Sequence, residues 1–198
     1  NRLLFMDRLE HALARTERRE ESIAVLFLDL DNFKLINDSF GHAVGDRLLL
    51  QVADRLDSCM RPQDTVARFG GDEFTVLLDT LETEDEPEQV AERIQEALAR
   101  PFDVAGQKLV VSASIGISVG EQGSKAEQLV RDADIAMYSA KRSGAARSAT
   151  FSTPMHSRVM SQLHLEGELR RAIDERLLRV FYQPILDLDR NELIGFEA

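Results

Sequence analysis

The fold is indicated first by one stretch in the middle of the chain, VARFGGDEFTVLL at residues 66–78. Residues 66–69 and 73–78 are short runs rich in β-branched and aromatic side chains, which are typical of strands. Between them, Gly70-Gly71-Asp72 is the glycine-rich kind of link that joins two strands in a hairpin. The sequence therefore predicts a β-hairpin with Asp72 and Glu73 where its second strand begins.

The segments on either side of this hairpin alternate between helical and strand patterns. Residues 23–30 are almost continuously apolar, which is typical of a strand covered on both faces. Helical spacing of apolar residues predicts helices at 3–13, 44–60, 87–99 and 125–142, and a second hairpin is predicted from 102–105 and 108–119. This order predicts an α+β (α/β layered) domain that closes near residue 151.

Composition limits the partners. The 198 residues include 24 Lys and Arg against 35 Asp and Glu, a net charge of −11. A surface that binds nucleic acid needs an excess of clustered basic residues, so no nucleic-acid partner is expected. Residues 79–96 hold eight acidic residues and one basic residue. We expect this stretch to be a solvated face outside any ligand contact.

The single cysteine, Cys59, has no partner for an intramolecular disulfide, which favours a reducing, cytoplasmic environment. The longest apolar run, residues 23–28, is far shorter than the ~20 residues that span a bilayer. We therefore expect a cytoplasmic domain without a membrane segment. The start at Asn1 is also compatible with the cytoplasmic part of a longer, membrane-bound protein.

Two carboxylates end the predicted strand at 23–30. Asp29 and Asp31 are two residues apart, so the alternation of a strand places them on one face. Such carboxylates can hold Mg²⁺, but they can equally cap the strand and the following helix. Asp72 and Glu73 should leave their hairpin on opposite sides, so only one of them is expected to share a metal ion with Asp29 across that face.

Four segments of the sequence resemble a known family. FLDLDNFKLINDSFGHAVGD at 27–46 and RFGGDEF at 68–74, with SIGIS at 114–118 and ADIAMYSAK at 133–141, closely resemble the GGDEF family of diguanylate cyclases. The resemblance covers residues 1–151 and implies a cyclase palm-like fold, a central, mostly antiparallel sheet flanked by helices. It also implies a homodimer in which two GTP molecules condense into cyclic di-GMP with release of pyrophosphate.

The resemblance assigns a metal site and a catalytic group. Mg²⁺ (or Mn²⁺) would be held by the carboxylates of Asp29 and Asp72 and by the backbone carbonyl of Leu30. Asp72 or Glu73 would help to remove the proton of the 3′-hydroxyl. Lys34 would face the phosphates, where negative charge develops.

The resemblance also assigns the ligand contacts. The substrate-binding residues would be Phe33, Asn37, Asp46, Gly70, Gly71 and Lys141. Among these, Asn37 and Asp46 would recognise the guanine edge, and Lys141 would face the phosphates. Arg61 and Asp64 match the Arg-x-x-Asp motif through which the family binds cyclic di-GMP as product and inhibitor.

One departure from the family pattern lies after Lys141. The family usually continues with Gly-Arg-Asn, whereas here Gly144 is followed by Ala145 and Ala146, with Arg147 displaced by two positions. The missing guanidinium would normally help to hold the terminal phosphates. Two alternatives to a cyclase therefore stay open: a non-catalytic GTP-binding domain that regulates an adjacent EAL phosphodiesterase, and a module that only binds cyclic di-GMP.

The last part of the chain is similar to a second family. FYQPI at 181–185 and GFEA at 195–198 resemble the start of an EAL phosphodiesterase domain. The resemblance implies that Glu197 is a metal ligand and that Gln183 contacts substrate. We therefore divide the chain into a GGDEF domain at 1–151, an interdomain linker helix at 152–168 and a truncated start of an EAL domain at 169–198, too short to hydrolyse cyclic di-GMP.

Overall fold

The computed structural model describes residues 1–19, 21–144 and 146–198. Its helices are α1 (Arg2–Arg19), α2 (Phe33–Phe40), α3 (His42–Ser58), α4 (Glu86–Leu98), α5 (Ala126–Arg142) and α6 (Thr153–Asp174). Its strands are β1 (Ile23–Leu30), β2 (Thr65–Gly70), β3 (Glu73–Leu78), β4 (Phe102–Val104), β5 (Gln107–Leu109), β6 (Ala113–Gly120), β7 (Ser148–Thr150), β8 (Gln183–Asp187) and β9 (Glu192–Glu197). The chain divides into two compact units, Asn1–Val159 and Met160–Ala198.

The first unit is built on a five-stranded sheet with the order β2-β3-β1-β6-β7. Strand β1 lies in the middle and pairs antiparallel with both β3 and β6. Strands β6 and β7 pair in parallel, and the other pairs described in this sheet are antiparallel. The predicted α+β class with a mostly antiparallel central sheet is therefore confirmed.

The two faces of β1 enter two different clusters of the core. Residues 24, 26, 28 and 30 pack with apolar side chains of α3 and α4 on one face. Residues 23, 25 and 27 pack with α1 and α5 on the other face. Helices thus cover both faces of the central strand, which explains why its sequence is apolar without alternation.

Helix α5 lies unusually close to β6 at Gly116. A Cβ built on this glycine would lie 1.9 Å from the carbonyl oxygen of Ala133 and 2.1 Å from the backbone nitrogen of Met137. Both atoms belong to the backbone of α5 and cannot rotate away. The absence of a side chain at residue 116 therefore sets how near α5 comes to the sheet.

Two secondary-structure predictions for the first unit are wrong. The sequence predicted no helix between 31 and 43, where α2 lies between Asn32 and Gly41, both at positive φ (58° and 86°). The single strand predicted at 108–119 is two strands, since β5 ends at Leu109 and β6 begins at Ala113. The chain must leave the β4–β5 hairpin and join the central sheet between them, where the carbonyl of Ser112 accepts the N–H of Asp31 (2.9 Å).

The second unit contains the remainder of α6 and a hairpin of β8 and β9. The apolar pattern of residues 180–188 predicts a single strand, whereas β8 covers only Gln183–Asp187 and a further strand, β9, follows it. Asp187 reverses the chain because its side chain accepts the N–H groups of Asp189 (2.9 Å) and Arg190 (3.1 Å). Within the described parts of the chain, no helix is both long enough and apolar enough to cross a membrane.

Candidate active site

The candidate site lies at the end of β1, between the neighbouring ends of β3 and β6. Asp29 faces Glu73 on β3 and Ser114 on β6. Residues that face each other in an antiparallel ladder point to the same side of the sheet, so Glu73 shares a face with Asp29. The N–H of Leu30 donates to the carbonyl of Asp72 (3.3 Å), which holds the hairpin turn against the end of β1.

The turn between β2 and β3 requires a glycine at one position. Gly71 has a φ of +50°, a conformation that costs little only without a side chain. The Nε of Arg68 donates to the carbonyl of Gly71 (2.9 Å), and the strand register shifts between Arg68 and Gly70. Asp72 therefore lies in the turn and not in the strand, so strand alternation does not determine its direction.

Lys141 is brought to Asp29 from a position 112 residues away. Its Nζ lies 2.6 Å from the Oδ1 of Asp29. The side chain extends from the last turn of α5, the helix whose distance from the sheet is set at Gly116. The site thus joins the end of a central strand to the end of the helix that packs across it.

Burial and negative charge act together on the carboxylates. Burial has the largest effect on Asp29 and raises the pKa of its carboxyl group; Lys141 lowers this pKa, the charges of Asp72 and Asp31 raise it, and the net shift is upward. Burial, followed by the charges of Asp134 and Asp29, raises the pKa of Glu73. Asp134 on α5 is still accessible to solvent, yet desolvation in the cleft and the charge of Asp29 raise its pKa as well. The site therefore favours a bound cation.

Asp31 differs from Asp29 in being buried and hydrogen-bonded through both of its carboxylate oxygens. It is only 6% exposed, and its Oδ1 accepts a hydrogen bond from the hydroxyl of Ser114 (2.7 Å). Its Oδ2 accepts from the hydroxyl of Ser112 (2.6 Å) and from the N–H of Ala146 (3.0 Å). The capping alternative that the sequence left open thus describes Asp31, which ties the end of β1 to two loops.

The predicted guanine-binding residues lie around the junction of α2 and α3. The side chain of Asn37 packs against Gly45, where a Cβ would lie 1.9 Å from its Oδ1. Asp46 follows Gly45 and is exposed, as is Lys34 on α2. The ring of Phe33 is buried in the core. The absence of a side chain at Gly45 therefore lets the amide of Asn37 lie beside the start of α3.

Arg61 and Asp64 lie at the other end of β2 from Gly70. The Oδ2 of Asp64 accepts the N–H of Arg61 (2.9 Å), and its Oδ1 accepts the N–H of Asp79 (3.4 Å). The Nη1 of Arg61 lies 2.6 Å from the Oε1 of Glu86 and 3.3 Å from the Oε1 of Glu82. The prediction that residues 79–96 form a solvated face is therefore wrong at Glu86, which is buried, and two residues of this stretch pair with Arg61.

Sequence reasoning missed the positions of Asp134, Gly116 and Glu86. Asp134 lies two helical turns before Lys141, so helical spacing could have placed both on one face. No comparable signal marks Glu86, which is buried although it lies in an acidic stretch. Ala145, where the family pattern has an arginine, lies outside the described residues, and the carbonyl of Arg147 accepts the N–H of Ile115 (2.9 Å).

The donor set at Asp29 suits a small divalent cation. Within residues 1–19, 21–144 and 146–198, no three His, Cys, Asp or Glu side chains form a ready metal cluster. The predicted set needs only two, the carboxylates of Asp29 and Asp72, with the carbonyl of Leu30. Mg²⁺ prefers oxygen ligands and keeps waters or substrate phosphates in its other positions. The ammonium of Lys141, 2.6 Å from Asp29, occupies a place suited to positive charge.

Comparison with known proteins decides the family. The family model described as diguanylate cyclase, GGDEF domain, matches residues 1–147. The chain belongs to the GGDEF family. One relative is the bifunctional diguanylate cyclase/cyclic di-GMP phosphodiesterase MucR of Pseudomonas aeruginosa, which is 40% identical over 199 residues. The match covers all of this chain and 29% of MucR. The chain is 37% identical to the cyclic di-GMP phosphodiesterase PdeR of Escherichia coli, covering 30% of that protein.

Solved GGDEF structures share the fold. The GGDEF domain of YfiN (TpbB) from Pseudomonas aeruginosa is 37% identical, with a TM-score of 0.78 over 81% of this chain and 94% of that one. The GGDEF domain of DgcB from Caulobacter crescentus, solved in complex with c-di-GMP, is 28% identical, with a TM-score of 0.71 over 76% of this chain and 90% of that one. The present chain spans less than a third of the length of its two curated relatives, MucR and PdeR.

Proposed function

We propose that residues 1–151 are a diguanylate cyclase domain, which condenses two GTP molecules into cyclic di-GMP and pyrophosphate. The observation that carries this proposal is the convergence of Asp29, Asp72, Glu73 and Lys141 at one end of the inner strands. A triphosphate needs both carboxylates, to hold its metal ion, and a cation facing its oxygens. One protomer holds one GTP, so the reaction requires a homodimer.

The metal in this proposal is Mg²⁺ (or Mn²⁺), held by Asp29, Asp72 and the carbonyl of Leu30. When bound, it would supply neutralisation of the phosphate charge and polarisation of the α-phosphate. A neighbouring carboxylate with a raised pKa is suited to accept a proton. Glu73, whose pKa is raised, is therefore the proposed acceptor of the 3′-hydroxyl proton, with Asp72 as its neighbour in the turn.

The remaining contacts in this proposal come from the helices. Lys141 and Lys34 face the phosphates, where a cation stabilises developing negative charge. Asn37 and Asp46 offer an amide and a carboxylate, which match the donors and the acceptor of the guanine edge. The packing of Asn37 against Gly45 supports this assignment because it brings the amide beside the turn that carries Asp46.

A second proposal concerns the end of the chain. Residues 169–198 are proposed to begin an EAL domain, joined to the GGDEF domain by a linker helix at 152–168. Gln183 and Glu197, the predicted substrate and metal contacts, are direct partners across the β8–β9 pair, which supports this assignment. The bifunctional relative matched over the whole chain supports it as well. In a protein of this kind, the first domain would bind GTP or cyclic di-GMP to regulate the second.

One experiment tests the cyclase against the regulatory alternative. The 198-residue chain is incubated at high concentration with GTP and Mg²⁺, and the nucleotides are separated by chromatography. We expect cyclic di-GMP from the wild type and none from Asp29→Asn, with the fold of both checked by circular dichroism. GTP binding measured by calorimetry without any cyclic di-GMP would refute the cyclase and favour a non-catalytic GTP-binding domain.

A further inference from the structure

The guanidinium of Arg61 is already paired with carboxylates of its own chain. Its Nη1 lies 2.6 Å from Glu86 and 3.3 Å from Glu82. The two partners differ in exposure, since the side chain of Glu86 is 9% exposed and that of Glu82 is 71% exposed. Ion pairs with a buried partner are screened less by water than exposed pairs are. Glu86 is therefore the stronger of the two partners.

Glu86 is held rigidly in this position. It is the first residue of α4, where the helix dipole stabilises a negative charge. Its Oε2 accepts the N–H of Glu82 (2.6 Å). The next residue, Pro87, is buried, and α4 packs into the core through Val90 and Ile94. The carboxylate therefore cannot move away from Arg61 without disturbing the start of the helix.

A carboxylate and a phosphodiester compete for the same donors. Each offers two negatively charged oxygens with the spacing that a guanidinium fork accepts. A phosphate that approaches Arg61 must share a partly used guanidinium and must also come near the charge of Glu86. Asp64 does not take part in this competition. Its two carboxylate oxygens accept backbone N–H groups, which fixes the shape of the loop.

We propose that Glu86 determines the affinity of the Arg61–Asp64 site for cyclic di-GMP. Its carboxylate competes with a phosphate of the ligand for Arg61 and so sets the concentration at which the product fills the site. Glu82 adds a smaller effect of the same sign. This inference rests on the product-binding part of the proposed function, and it makes this chain less sensitive to product than a site with an unpaired arginine.

Direct binding tests this inference without using turnover. Calorimetry with cyclic di-GMP is carried out on the wild type, Glu86→Gln, Glu82→Gln, Arg61→Ala and the control Glu84→Gln, which removes a charge from an exposed side chain of the same loop. Glutamine keeps an oxygen that can accept the N–H of residue 82, so α4 should still begin normally. Removing one charge within a few ångströms of the phosphate should lower the Kd about tenfold in Glu86→Gln. Glu82→Gln should lower it about twofold, because its exposed charge is screened.

The outcomes separate clearly. An unchanged or higher Kd in folded Glu86→Gln overturns the inference, as does binding that survives Arg61→Ala or a control that tightens as much as Glu86→Gln. If Glu86→Gln melts below the assay temperature, an unchanged Kd in Glu82→Gln overturns it. Absence of binding in every variant overturns it too. Loss of GTP turnover with the expected changes in Kd would refute the cyclase alone.

Discussion

The close approach of α5 to β6 gives a sharp test of how the site is held together. Gly116→Ala would place a methyl group 1.9 Å from the carbonyl of Ala133 and 2.1 Å from the nitrogen of Met137. These two backbone atoms are four residues apart and so belong to one helical hydrogen bond. An ordinary contact begins near 3.4 Å, so α5 must recede by about 1.5 Å or its hydrogen bond must break.

The cost follows from the packing of α5. The helix buries Leu129, Val130, Ala133 and Met137 against the sheet, and a rigid shift loosens all of them together. Overpacking that only backbone movement can relieve lies at the upper end of the usual range, about 3 kcal/mol. For a domain of this size that corresponds to a fall in melting temperature of roughly 6–12 °C.

A matched control lies on the same strand. In Gly120→Ala the new methyl group would meet the Cδ1 of Leu129 at 2.6 Å and the Cγ1 of Ile23 at 3.0 Å, which are flexible side-chain atoms. We expect Gly120→Ala to cost about 1 kcal/mol or less, because a rotamer change relieves the contact. Thermal melting compares the two, and GTP turnover should fall further in Gly116→Ala, since α5 carries Lys141. Equal melting temperatures for both variants would refute the reasoning.

Three further predictions concern charge, a turn and a helix end. Asp29→Asn should abolish cyclic di-GMP formation. In EDTA it should raise the melting temperature, because burial and negative neighbours disfavour the charge of Asp29, and a lower melting temperature would contradict this. Ala105→Asn should stabilise the domain by about 0.5–1 kcal/mol in urea unfolding, because Ala105 (φ 54°) and Gly106 (φ 79°) form the turn that Asn-Gly prefers. In the same urea unfolding assay, Arg55→Met should destabilise the domain by about 1–3 kcal/mol, since the guanidinium donates to carbonyls at the end of α4 and stacks on Phe102. Arg55→Lys should recover only part of this loss.

Local patterns predicted the elements whose burial is either continuous, as in β1, or repeats with the helical period, as in α3, α4 and α5. Strand β1 is buried on both faces, so its apolar run alone identified it. Helix α2 was not predicted because its eight residues are too few to show a clear helical period. Its start after Asn32, which has a left-handed backbone conformation, also leaves no signal in the spacing of apolar residues. The break at 110–112 escaped because Val110 and Val111 continue the pattern of a strand. That break depends on the bond between Ser112 and Asp31, a contact made by the tertiary fold.

The candidate site was predictable only in part for a similar reason. Family motifs named Asp29, Glu73 and Lys141 together, although strand and helix patterns say nothing about a contact across 112 residues. Asp29 and Asp31 differ in their contacts because the hydroxyl groups of residues 112 and 114 donate hydrogen bonds to Asp31. Strand alternation alone does not reveal this difference. The burial of Glu86 could not be predicted, because acidic residues in the first turn of a helix are usually solvated.

The central place of β1 also determines how the site behaves when the protein fluctuates. The edges of the sheet are β2 and β7, so fraying from either side leaves β1 paired with both of its neighbours. Its amide protons should therefore exchange with solvent only when the whole domain unfolds. Asp29 lies on that last-opening strand, so a ligand bound there stabilises the entire fold and should slow exchange along all of β1, far beyond the residues it touches.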